Sequence, residues 1–169
     1  MSKDNLVKFP QIALENPSPH KPLTEHLDNA EKMVRDMIAD LGNLAPMVIC
    51  DAGEAQIIIA YEPAPTATQR RFAALQIGNH LRQMRAAAYT VCHEVWIGDG
   101  AAGVQPSKDP DRREGVMIQA YNSVASDFRI FEIDRSGTKP TLRTREEYEG
   151  GKMNPGGTWD GLLTEGGRA

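Results

Sequence analysis

Short apolar runs parted by glycine- and proline-bearing turns constrain this chain more than any other feature. MVIC at 47–50 and QIIIAY at 56–61 flank DAGEA, while GVMIQAY at 115–121 and FRIFEID at 128–134 are joined through NSVAS. Each run has the length of a strand and is rich in β-branched side chains, and connections this short read as hairpins. YTVCHEVWI at 89–97 reads as a further strand, and PTLRTR at 140–145 as an edge strand with Pro140 at its start. Apolar runs of this length do not span a bilayer.

Two stretches carry a helical period instead. After Pro22 and Leu23, Thr24 stands where a cap belongs, and Leu27, Ala30, Val34, Met37, Ile38 and Leu41 recur at three- and four-residue spacing as far as Gly42. Asp28, Glu31, Lys32, Arg35, Asp36 and Asp40 form the polar side. A second helix is predicted over about 67–87, after EPAPTAT with its cap candidates Thr66 and Thr68. Phe72, Leu75, Ile77, Leu81 and Met84 are its apolar positions. The order α-β-β-α-β-β-β predicts an α+β fold, a largely antiparallel sheet of five or six strands with both helices on one face. The other face is then left for solvent, the tails or another subunit.

At 169 residues the chain suits one domain with tails. Residues 1–22 hold four of the eleven prolines and read as an extended lead-in, so the α+β domain is placed at 23–149. Residues 150–169 hold seven of the fifteen glycines, which opposes regular structure. Yet this arm contains Trp159, Leu162 and Leu163, apolar material that suits docking on its own domain or on a partner. The net charge of −4 offers no global field for nucleic acid or for an anionic membrane. The N-terminus shows no secretory leader, and Cys50 and Cys92 within apolar segments suit buried thiols. Both features lead to the expectation of a cytoplasmic protein with no membrane contact.

CHE at 92–94 sets a thiol, an imidazole and a carboxylate side by side. Strand alternation separates them: Tyr89, Val91, His93, Val95 and Ile97 share one face, and Thr90, Cys92, Glu94 and Trp96 the other. Cys92 and His93 therefore do not form a nucleophilic pair. His93, among apolar neighbours, reads as a half-buried structural histidine before it reads as a ligand or base. No C-x₂₋₄-C or H-x₃₋₅-H pair is present, so no metal site is expected. Phosphate-loop, dinucleotide-loop, nucleophile-elbow and zinc-helix signatures are absent, so no cofactor is expected.

PSKDPDRREGVMIQAY at 106–121 is similar to stretches in small uncharacterised proteins of bacteriophages and mobile elements. The resemblance covers about a tenth of the chain; it implies a bacterial or phage cytoplasmic setting and an accessory role, and it carries over no site residues. The expected function is a non-enzymatic module acting through protein–protein contact, with itself or with another protein. Its predicted contact surface is the sheet face bearing Cys92, Glu94 and Trp96, together with Trp159, Leu162 and Leu163 of the arm. The alternative is a metal-dependent nuclease using Asp51, Glu54, Glu94 or Glu114, although no lysine accompanies these acids on their strands. A third reading is nucleic-acid binding through Arg70, Arg71, Arg82 and Arg85 of the second helix, weighed against pairing of these arginines with the acidic first helix.

Overall fold

A computed structural model of the chain describes residues 20–98, 103–144 and 158–163. Most of the lead-in (1–19), residues 99–102, and residues 145–157 and 164–169 lie outside them. Helix α1 (Leu23–Leu41) precedes strands β1 (Met47–Ala52) and β2 (Ala55–Ala60), helix α2 (Ala67–Gln83) and strand β3 (Ala88–Ile97). A 3-10 turn at Pro106–Lys108 leads to β4 (Arg113–Asn122), β5 (Ser126–Asp134) and β6 (Thr141–Thr144). The six strands form one antiparallel sheet in the order β2-β1-β3-β4-β5-β6, an α+β architecture.

Local signals explain the boundaries. Pro22, not Thr24, caps α1; its fixed φ suits the position, and Thr24 falls inside the first turn. Gly42 ends the helix at φ 79°, its N–H donating to the Ile38 carbonyl at 3.0 Å. Thr66 caps α2 through a reciprocal pair with Gln69: Oγ1 accepts from the Gln69 N–H, and Gln69 Oε1 accepts from the Thr66 N–H. The helix stops at Gln83, short of the predicted 87, because Arg85 takes a left-handed φ of 51°. In the β1–β2 hairpin Gly53 supplies the positive φ of 61° that a two-residue turn requires.

The two helices lie on opposite faces of the sheet, which corrects the expectation of a shared face. Leu27, Ala30, Val34 and Ile38 of α1 pack on Met47, Ile49, Cys92, Val116, Ile118 and Phe131. Ala73, Ala74, Ile77 and Leu81 of α2 pack on Val48, Cys50, Tyr89 and Val91. The register makes the separation unambiguous, because Val48 stands opposite Val91 and Met47 opposite Cys92. All six residues of β1 are buried, as a strand covered on both faces must be. The prediction failed because every residue of MVIC is apolar, and such a run says nothing about which face a helix takes.

The charged side of α1 pairs with the strand beneath it rather than with α2. Arg129 on β5 reaches Asp28 at 2.8 Å and Glu31 at 2.7 Å. Arg35 binds Glu31 at 2.8 Å, donates to the Leu142 carbonyl and stacks over Phe131 at 4.9 Å. With α2 on the far side of the sheet, these acids are not available to its arginines.

His26 in the first turn of α1 is buried near Asp51 and Lys21, and its Nε2 has no hydrogen-bond partner. Burial lowers its pKa below 6.5, and the Asp51 charge opposes that only in part. The unfolded chain therefore takes up this proton at a higher pH than the folded one. Stability is full above 6.5 and falls as pH drops below it. Urea denaturation between neutral pH and pH ~5 should show a shallower fall for His26→Gln than for the wild type. Equal slopes for the two proteins would rule His26 out as a source of acid sensitivity.

Candidate functional site

The strand holding CHE outruns its neighbour on one side. The pairing of β1 with β3 ends at Met47 opposite Cys92, whereas β3 continues to Ile97 paired with β4. His93 and Glu94 therefore sit where β1 has stopped, and a notch opens beside them. The chain entering β1 bounds it through Leu44 and Pro46, and the chain leaving β2 through Tyr61, Glu62, Pro63 and Ala64. Arg70 and Ala73 from the start of α2 and Trp159 from the C-terminal segment complete a half-open cavity of about 410 Å³.

Each wall is held by a specific contact. The Leu44 N–H donates to Glu94 Oε1 at 2.7 Å, pinning the α1–β1 connection to β3. The Tyr61 N–H donates to the Pro46 carbonyl at 3.1 Å. Arg70 folds back to donate to the carbonyls of Ala64 and Pro65 at 3.1 and 3.2 Å. His93 Nδ1 lies 3.2 Å from the Glu94 carbonyl oxygen. The rings of Tyr61 and Trp159 meet with centroids 5.0 Å apart and planes tilted by 48°.

The C-terminal segment 158–163 docks on its own chain over the α2 face. Leu162 is 1% exposed, packed against the core beneath α2. The Tyr89 hydroxyl donates to the Trp159 carbonyl, and Arg82 donates to the Leu162 carbonyl at 2.5 Å. Burial raises the pKa of Tyr89, so the phenol stays a donor across the physiological range. Leu163 packs partly buried on the same core.

The predicted contact surface is thus dispersed. Cys92 is fully buried under α1, and Leu162 is buried under α2, so neither is presented to a partner. Glu94 and Trp96 do share the α1 face with Cys92, but α1 covers that face as far as Cys92. Trp96, 45% exposed, projects beyond it with the Arg112 guanidinium 4.8 Å from its ring centre.

The predicted acids do not converge either. Glu114 stands opposite Trp96 in the β3–β4 register, near Glu94, and takes Arg135 at 2.5 Å. Asp51 and Glu54 lie at the other end of the sheet, roughly 20 Å from Glu94 by strand rise. Asp51 is buried, with its carboxylate 3.0 Å from Lys21. Among the described residues no three His, Cys, Asp or Glu side chains are grouped to hold a metal ion. Of the four arginines, Arg70 and Arg82 direct their guanidiniums onto carbonyls of the same chain, which removes half of the proposed basic patch.

Helix α2 buries Ile77, Leu81 and Met84 of the predicted apolar row but not its other two members. Phe72 and Leu75 point outward instead, at 58% and 41% exposure. The buried stripe is the small-residue row Ala73, Ala74, Ile77, Gly78 and Leu81. That row has the better helical period, and its two alanines and one glycine were the signal that could have found it. The outward row of Phe72, Leu75, Gln76, Asn79 and Gln83 is uncharged, and Arg71 and Arg82 border it on the Leu75 side. No family model, curated protein or solved structure matches the chain, and no helix among the described residues is long and apolar enough to cross a membrane.

Proposed function

We propose that the protein is a non-enzymatic interaction module that associates with a second copy of itself through the outward face of α2. The observation that carries this reading is the exposed Phe72–Leu75 pair in an uncharged stripe on a helix whose opposite side is already committed to the core. Interface centres are depleted in charge and enriched in aromatic side chains, and this stripe has both properties. A two-fold contact sets the stripe against its own copy, so it buries Phe72 and Leu75 of both chains without burying a charge at the centre. Full burial of one such side chain contributes about 1.5–3 kcal/mol; with Phe72 58% and Leu75 41% exposed, about half of that remains to be gained at each, and a symmetric contact gathers four of them. The nuclease reading lacks converging acids, and the arginine reading lacks a continuous patch.

Sedimentation velocity at micromolar concentrations tests this. The wild type is expected to sediment as a dimer. Phe72→Asp should weaken dimerisation by about a hundredfold or more, since one substitution acts twice across the axis. Its thermal midpoint at low concentration should stay near that of the wild-type monomer, because the side chain is mostly exposed. A wild type that remains monomeric, or a Phe72→Asp variant that dimerises equally well, would overturn the reading.

A further inference from the structure

We infer that the notch beside His93 and Glu94 is a binding site for an organic cation with an apolar body, such as an alkylated ammonium group. The site is separate from the proposed self-contact, because Arg70 and Ala73 reach it from the inner side of α2, whereas Phe72 and Leu75 lie on the outer side. Its volume of about 410 Å³ falls in the range of small-molecule pockets and far exceeds what a bare ion needs.

Three observations fix the sign of the charge. Glu62 and Glu94 both line the cavity, against one guanidinium, that of Arg70. Arg70 already directs its Nη1 to two carbonyls, which leaves it poorly placed to clamp a carboxylate or phosphate in a two-pronged manner. Tyr61 and Trp159 supply two aromatic rings set at an angle, and the negative faces of such rings attract a desolvated cation. Leu44, Pro46 and Ala73 offer the apolar wall that receives methyl or methylene groups. An anion would meet two carboxylates here, and a neutral apolar body would forgo their attraction.

A quaternary ammonium metabolite and the basic side chain of a peptide share this chemistry, and the test separates them. The chain has two tryptophans, so Trp96→Phe leaves Trp159 as the one indole reporter; Trp96 is 45% exposed and its ring is not part of this cavity. Titrating that variant with choline, or with N-acetyl-lysine methylamide, should give a saturable change in Trp159 fluorescence with a dissociation constant of roughly 0.1–10 mM. Tighter binding of choline would identify a free quaternary ammonium compound as the ligand class, and tighter binding of the lysine derivative a basic side chain. The neutral isostere 3,3-dimethyl-1-butanol should bind at least about tenfold more weakly than choline. Glu62→Gln, an exposed and conservative change, should weaken choline about threefold or more, and Glu94→Gln likewise. The inference is overturned by benzoate binding as well as choline, by equal binding of the neutral isostere, or by no saturable response to either cation.

Discussion

Gly115→Ala is expected to lower stability by about 2–4 kcal/mol, although alanine normally costs a strand nothing. Gly115 lies in β4 between Val95 on β3 and Glu132 on β5. A Cβ there would stand 2.4 Å from Ile97 Cδ1 and 2.7 Å from the Phe131 carbonyl oxygen. The isoleucine tip can rotate away, but the carbonyl belongs to the backbone of a paired strand and cannot move without disturbing the β4–β5 ladder. Fewer unfolded conformations would repay only about 0.4–1 kcal/mol, so the clash decides the sign. Guanidinium denaturation of Gly115→Ala, alone and combined with Ile97→Ala, measures it. The second substitution should relieve the contact with the side chain and leave the contact with the carbonyl. A single variant as stable as the wild type would show that the register at the end of the β3–β4 pair differs from the one described.

Leu162→Ala should cost about 2–4 kcal/mol, a core-sized loss from a residue seven positions from the C-terminus. The side chain is 1% exposed and closes the core between α2 and the sheet, with its Cβ 3.1 Å from where a Cβ on Gly78 would stand. Two further contacts depend on the same segment: the Tyr89 hydroxyl bond to the Trp159 carbonyl and the Arg82 bond to the Leu162 carbonyl. If the segment detaches, Tyr89 loses its acceptor inside the core, which adds to the lost burial. Denaturation followed by tryptophan fluorescence reads both the lost stability and the altered surroundings of Trp159. A near-neutral Leu162→Ala would mean that the segment does not hold the core closed in the isolated chain.

The elements themselves were legible because each rests on local chemistry: capping at Thr66, the αL glycine at Gly42, and β-branched runs around Gly53. The antiparallel pairing of β1 with β2 and of β4 with β5 followed from short hairpins, and Pro140 marked the last edge strand, whereas the pairing of β1 with β3 across α2 had no local signal. What local chemistry did not contain was the assignment of faces. β1 is apolar at nearly every position, so its alternation is silent, and α2 presents apolar side chains on both sides. Phe72 and Leu75 looked like core for that reason. The notch was hidden for a different one: Leu44, Tyr61, Arg70, His93 and Trp159 come from five separated segments and meet only because β1 ends before β3 does. His93 and Glu94 were singled out for the right stretch of chain and the wrong grouping. Alternation divides them between faces, and the missing end of β1 lets both reach the same cavity.

The two cysteines occupy adjacent strands yet face opposite layers, Cys50 under α2 and Cys92 under α1, and both are free thiols. Burial pushes each pKa up to about 12, so neither reacts while its layer stays closed. Each thiol is thereby a clock for one layer. The rate at which Cys50 is trapped by an alkylating reagent reports the lifting of α2, and the rate for Cys92 reports the lifting of α1. Nature has thus placed one chemical probe in each half of the core, and the order in which the halves come apart can be timed in the wild-type chain without a label being introduced.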